Sequence, residues 1–213
     1  MNWLIQTLWS SVGKKFIMAA TGIGFMLFLC AHLIGNLTLY GGGDAFNAYA
    51  ERLHAMGAVL TVFNLGLVLL AVIHISTGLI LFVQNWKARP TRYNKDQPAG
   101  GRTWSSVTMP YTGILILSFV IFHLINFTFV DKSSTTIYQI VSSAFASPLY
   151  VAIYIIAVII VALHVRHGLW SALQTIGANH PRYMPAIMIA SVLFGLVVGI
   201  GFGVLPIYIL AIS

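Results

Sequence analysis

Five long stretches of this 213-residue chain contain no Asp, Glu, Lys or Arg: 16–43, 53–86, 103–130, 133–165 and 183–213, holding 28, 34, 28, 33 and 31 residues. Each exceeds the roughly 20 apolar residues that an α-helix needs to cross a bilayer. Only 7% of the chain is charged and 59% is apolar, whereas an ordinary soluble domain is about 25% charged, so a soluble globular fold is excluded. No stretch alternates as a barrel strand would, and a helix satisfies every backbone polar group within lipid. The pattern predicts an all-α integral membrane protein, with one membrane domain over 1–213. Its five-helix bundle has spans at roughly 15–39, 57–84, 109–130, 148–174 and 184–210.

The few charges orient the bundle. Lys14 and Lys15 precede the first span, Lys87, Arg89, Arg92, Lys95 and Arg102 lie in the loop 85–108, and Arg182 precedes the fifth span. The other two loops hold only Arg52 and Lys132, offset by Asp44, Glu51 and Asp131. Eight basic residues against two place the N-terminus inside and the C-terminus outside. Pro90, Pro98, Gly100 and Gly101 make the cytoplasmic loop 85–108 turn-rich. It serves orientation and contact with membrane lipid, or docks a soluble partner. Lys14-Lys15 before a full-length span does not read as a cleaved signal peptide. Residues 1–13, with Trp3, Leu4, Ile5, Leu8 and Trp9, read as a short interfacial segment.

Cys30 is the single cysteine, which excludes Cys-x-x-Cys pairs, thiolate zinc sites and iron–sulfur clusters. A metal here is held by nitrogen or oxygen. Of seven histidines, His32, His74, His123 and His164 fall well inside the first four spans, where an ionisable side chain is a functional candidate by default. His32 precedes Gly41 by nine residues and His123 precedes Asp131 by eight, so both sit roughly 12–14 Å below the outer surface at about 1.5 Å per residue. His74 and His164 each stand thirteen residues before an inner end, Lys87 and Gly177, or roughly 20 Å above the inner surface. Two imidazoles at one depth on different helices are what a six-coordinate haem requires, and two such layers hold two haems b. Structural zinc would want four ligands at one point.

The local sequence repeats the pairing. His32-Leu-Ile-Gly35 matches His123-Leu-Ile-Asn126 at an offset of 91, and His74-Ile-Ser-Thr-Gly78 matches His164-Val-Arg-His-Gly168 at 90. Spans one and two thus form a hairpin repeated as spans three and four. Gly35, Gly78 and Gly168, a turn from His32, His74 and His164, suit the approach of a flat porphyrin, and equally suit plain helix packing. Arg166 is the one formal charge deep in a span; a haem propionate, snorkelling, or a partner subunit's carboxylate would each satisfy it. His167 competes with His164 as ligand, but the depth match and the repeat favour His164. His54 and His180 lie at span ends, where a solvated histidine is the default.

The residues that carry a family resemblance are Ser10-Ser11-Val12-Gly13-Lys14-Lys15 through Met18-Ala19-Ala20-Thr21-Gly22, His32-Leu33-Ile34-Gly35-Asn36-Leu37, Phe46-Asn47-Ala48-Tyr49-Ala50, and the run from His164 to Thr175. On these the chain resembles, over nearly its whole length, the cytochrome b membrane anchor of succinate dehydrogenase or fumarate reductase in its single-chain, five-helix, two-haem form. The resemblance implies that His74 and His164 hold the proximal haem b, facing a flavoprotein subunit and an iron–sulfur subunit in the cytoplasm, and that His32 and His123 hold the distal one. It implies a bacterial-type inner membrane, a quinone substrate such as menaquinone, and a possible higher oligomer of the complex. The quinone site of such anchors lies near the distal haem and uses a carboxylate. Glu51, the only Glu in the chain, is the candidate, with His54 one turn away; a solvated loop acid is the plain alternative.

Three rival readings stand beside this one: a two-haem anchor of a hydrogenase or formate dehydrogenase, a small transporter whose histidines relay protons, and a structural anchor without cofactor. The spans offer few acids for a proton path, and a cofactor-free anchor leaves four intramembrane imidazoles unexplained. The basic residues are too few and too confined to the membrane flanks for nucleic-acid binding.

Overall fold

The computed structural model describes residues 2–88 and 104–213. Among them the regular structure is entirely helical: α1 (Trp3–Trp9), α2 (Ser11–Asn36), α3 (Gly42–His54), α4 (Ala58–Lys87), α5 (Trp104–His123), α6 (Ile137–Phe145), α7 (Pro148–Thr175) and α8 (Met184–Ile212). Five helical segments of the described residues, those containing α2, α4, α5, α7 and α8, are long and apolar enough to cross a membrane, as the uncharged stretches require. Arg89, Arg92, Lys95 and Arg102, which the sequence reading placed in the basic loop, lie outside the described residues.

The helix ends differ from expectation where polar residues intervene. Ser10 ends the interfacial α1 and caps α2, its Oγ accepting from Gly13 N–H at 3.0 Å. Gly13 is required there, because a Cβ would strike the Thr7 carbonyl and the Leu8 backbone. At its far end α2 tightens into a 3₁₀ turn (Leu37–Gly41) and then α3, whereas α5 widens into a π turn (Leu124–Thr128) before α6. The short helices α3 and α6, expected as plain loop, cover the same end of the bundle. A capping box of Thr136 and Gln139 opens α6. Gly57, at φ +53°, lets the chain turn from α3 into α4 at little steric cost.

Both hairpins therefore share one plan: long helix, tight or wide turn, short helix, long helix. Residues 91 apart meet where the hairpins face each other. Tyr138 N–H donates to Asn47 Oδ1 at 3.0 Å, and the rings of His32 and His123 lie together. α2 packs on α4, and α5 on α7; α2 and α7 also meet across the middle.

The odd helix α8 lies along α7. Gly195, Gly199 and Gly203 recur every fourth residue on its α7 face, with Ala162 opposite the first two and Ile155 opposite the third, a small-residue seam of the kind that lets membrane helices approach closely. A cluster of buried apolar side chains that includes Leu39, Phe46, Phe145, Tyr154 and Ile209 sits toward the α3–α6 end. By contrast α4 buries only Thr77 and exposes Val62, Leu65, Val68 and Leu69, the surface expected of a helix facing lipid tails.

Candidate functional site

The four span histidines form two pairs. Toward the α3–α6 end, His32 on α2 and His123 at the end of α5 have ring centroids 5.9 Å apart and planes at 90°. Aromatic rings enclose them: Phe28 stacks on His32 at 5.2 Å, Phe202 of α8 lies 5.6 Å from it, and Phe127 lies 5.3 Å from His123. His123 Nδ1 is 3.3 Å from the Tyr154 hydroxyl. His32 has no comparable anchor among the described residues: the Asn36 amide nitrogen is 3.5 Å from both ring nitrogens and donates to the His32 carbonyl at 2.8 Å.

The second pair, His74 on α4 and His164 on α7, lies toward the α1 end, the two within electrostatic reach of each other. Each ring rests on the neighbouring helix of its own hairpin. His74 Nδ1 is 2.9 Å from Thr21 Oγ1, and His164 Nδ1 is 2.9 Å from Thr112 Oγ1. The next residue in each case is glycine, and a Cβ on Gly22 or Gly113 would meet the Cε1 of His74 or His164 at 3.6 or 3.7 Å.

No group of three or more His, Cys, Asp or Glu gathers among the described residues, so the donors come two by two. This set suits an iron whose two open faces each take one imidazole nitrogen, and does not suit a closed four-ligand ion. The residues thus fit haem b, with His32 and His123 as one ligand pair and His74 and His164 as the other.

The remaining candidates fall elsewhere. His167 is buried, with Nδ1 3.0 Å from Ser105 Oγ and its ring edge-on to Trp170 at 5.0 Å. It joins α7 to the start of α5. Arg166 is exposed; its Cβ faces Gly195 of α8, and two residues is about 200° round a helix from His164. Reaching a propionate beside His164 would require this side chain to curl back round α7. Lys14, counted above as a flanking charge, is buried and donates to Gln84 Oε1 at 2.7 Å, tying α2 to α4.

Glu51 belongs to the last turn of α3 and not to the start of the second span, because α4 begins only at Ala58. It lines an open cleft of about 290 Å³ with Asn47, His54, Lys132, Thr135 and Thr136, at the same end of the bundle as His32 and His123. His54 Nδ1–H donates to the Ala50 carbonyl at 2.7 Å, and Lys132 Nζ donates to the Thr128 carbonyl at 3.0 Å. Asp131, next to Lys132, accepts from Ser133 N–H and Oγ, bonds that hold its carboxyl below the usual carboxylate range.

Thr21 and Thr112 were not among the expected site residues. Their signal is nonetheless present: Met18-Ala-Ala-Thr21-Gly22-Ile23 and Met109-Pro-Tyr-Thr112-Gly113-Ile114 stand at the same offset of 91 as His32 and His123. Tyr154 carries no such sequence mark.

A comparison with curated proteins finds the succinate dehydrogenase cytochrome b558 subunit of Bacillus subtilis (strain 168), 27% identical over 154 residues that cover 71% of this chain and 72% of that protein. No family model matches, and no solved structure matches. In sequence, then, this integral membrane chain is similar to a succinate dehydrogenase cytochrome b subunit, the resemblance that its histidine motifs carry.

Proposed function

We propose that this chain is the di-haem cytochrome b anchor of a succinate:quinone oxidoreductase, linking an iron–sulfur subunit to a membrane quinone. The observation that carries the proposal is the grouping of the four span histidines two by two, His32 with His123 toward one end of the bundle and His74 near His164 toward the other. His74 and His164 hold one haem b on the cytoplasmic side, where Lys14, Lys15, Lys87 and Arg182 mark the inner flank. His32 and His123 hold the second toward the outer side. Bound between such pairs, haem b supplies a reversible one-electron step.

The chain's own residues orient the imidazoles and exclude water. Phe28, Phe127 and Phe202 wall off the outer pair, and lipid-facing helices surround both layers. At the outer end, Glu51 lines the α3 cleft, where its carboxylate is able to exchange a proton with a quinone, menaquinone being the candidate. His54 is beside it; with Nδ1–H committed to Ala50, its Nε2 is the free ring nitrogen. The inner face, including the basic loop 85–108, docks the iron–sulfur and flavoprotein subunits, on which the succinate or fumarate chemistry resides.

The test is a haem-to-polypeptide ratio on the purified complex by pyridine haemochrome assay, with a dithionite-reduced spectrum and identification of co-purifying subunits. Two haems b with a flavoprotein and an iron–sulfur protein support the proposal. Absence of haem refutes it, and two haems with hydrogenase or formate dehydrogenase partners reassign the enzyme.

A further inference from the structure

We propose that Thr21 and Thr112 are positioning residues that fix the tautomer and ring direction of His74 and His164, so that the inner ligand pair is set before haem binds. The inference rests on the haem-ligand reading above and deepens it.

A threonine hydroxyl has one proton to give. Thr21 donates its proton to the Ile17 carbonyl at 2.7 Å, and Thr112 donates to the Met109 carbonyl at 3.0 Å. Both are the backward helical bonds that a threonine within a span makes. With that proton committed, each Oγ1 presents only lone pairs to the imidazole 2.9 Å away. The imidazole must therefore donate Nδ1–H. A neutral imidazole with its hydrogen on Nδ1 has a bare Nε2, which is the form that ligates a metal.

The adjoining glycine completes the seat. Cε1 lies between the two ring nitrogens, and it faces Gly22 or Gly113 at ordinary contact distance for a Cβ. The Nδ1–Cε1 edge of each ring thus lies on its own hairpin partner, which leaves Nε2 on a free part of the ring. The seat occurs once in each hairpin, on α2 for His74 and on α5 for His164. The outer pair lacks it: His123 meets a tyrosine hydroxyl at 3.3 Å, and His32 meets only an amide nitrogen at 3.5 Å. The inner pair is accordingly preorganised by hydroxyls, and the outer pair by aromatic packing.

A hydrogen bond from Nδ1–H makes an axial imidazole more basic and so favours the ferric state. The experiment is potentiometric titration, with low-temperature EPR of the ferric haems, on the intact membrane complex carrying Thr21→Val, Thr112→Val, Thr21→Ser or Thr112→Ser. The inner haem is identified as the component missing from His164→Leu. Either valine variant is expected to raise the midpoint of the inner component by about 40 mV, a roughly fivefold change at 59 mV per decade, while each serine variant stays at the wild-type value. Loss of the inner haem alone in a valine variant, restored by serine, also supports the proposal. Unchanged midpoints and EPR in both valine variants, equal shifts in both haems, or failure of serine to restore would overturn it. Two haems with silent valine variants refute this proposal alone, whereas a wild-type complex without haem refutes the functional reading and this proposal with it.

Discussion

Close packing at the seam between α7 and α8 leaves no room for a side chain at Gly195. A methyl group on Gly195 would lie 3.0 Å from the Ala162 carbonyl oxygen and 3.0 Å from Arg166 Cβ. Both belong to the backbone or first side-chain atom of α7, so neither rotates away. Restoring ordinary separation needs roughly 0.5–1 Å of displacement, which forfeits a quarter to a half of each van der Waals contact of about 0.1–0.2 kcal/mol. Over about 40 atom pairs around that turn the loss is about 2 kcal/mol, partly offset by up to about 1 kcal/mol because alanine favours helix more than glycine does. Gly195→Ala should therefore destabilise the protein by about 1–2 kcal/mol. Gly199→Ala should cost less, since its new methyl meets only the Ala162 Cβ, at 3.2 Å. Gly66→Ala, on the lipid-facing α4 with nothing within 4 Å, should be neutral or stabilising.

The displaced turn of α7, from Ala162 to Arg166, is the one that bears His164. Gly195→Ala should consequently weaken retention of the inner haem before that of the outer one. Denaturant unfolding in mild detergent, followed by tryptophan fluorescence and by loss of the Soret band, reads both effects. A Gly195→Ala variant as stable as wild type, or a Gly66→Ala variant that loses more stability than Gly195→Ala, would refute the packing argument.

Other outcomes are equally open to measurement. His123→Leu should remove one haem and His164→Leu the other, each leaving about one haem per chain by pyridine haemochrome assay; coordinated loss of both from either variant would count against separate layers. Gly113→Ala should retain both haems, because its Cβ would sit at ordinary contact distance from His164 Cε1. Gly113→Val, with two further methyl groups pushed toward that ring, should lower inner haem content, and an equal yield from the two variants would show that the ring is not seated there. Glu51→Gln should abolish quinone turnover while both haem spectra persist, and unimpaired turnover would remove Glu51 from the quinone reading.

Much of this architecture is legible in the linear sequence because lipid imposes a strong constraint. Uncharged runs mark the spans, and counting about 1.5 Å per residue from the span ends at Gly41, Asp131, Lys87 and Gly177 pairs His32 with His123 and His74 with His164. The short helices α3 and α6 escaped because they lie beyond the expected span boundaries, in segments that read as connections. Asp44, Glu51 and Arg52 belong to a helix at the bundle end, so Glu51 sits on α3 and not in a plain loop. Thr21 and Thr112 escaped for another reason. A threonine in a span usually satisfies itself by bonding back along its helix, so its remaining lone pairs become meaningful only when a ring is seen opposite. Gly195 and Gly199 look like ordinary apolar sequence until the backbone of α7 is found against them.

The repeat that relates the two hairpins has a mechanical corollary. Each histidine of one hairpin has a counterpart 90 or 91 residues on in the other, so both imidazoles of a layer begin as equivalent donors. The fifth span removes the equivalence. His164 belongs to a helix clamped between α2, α5 and α8, whereas His74 belongs to α4, which packs mainly on α2 and buries only Thr77. One side of the inner layer is therefore an abutment and the other a leaf spring. Ligand exchange, thermal loss of haem and the response to bilayer thickness should all begin on the α4 side, at His74.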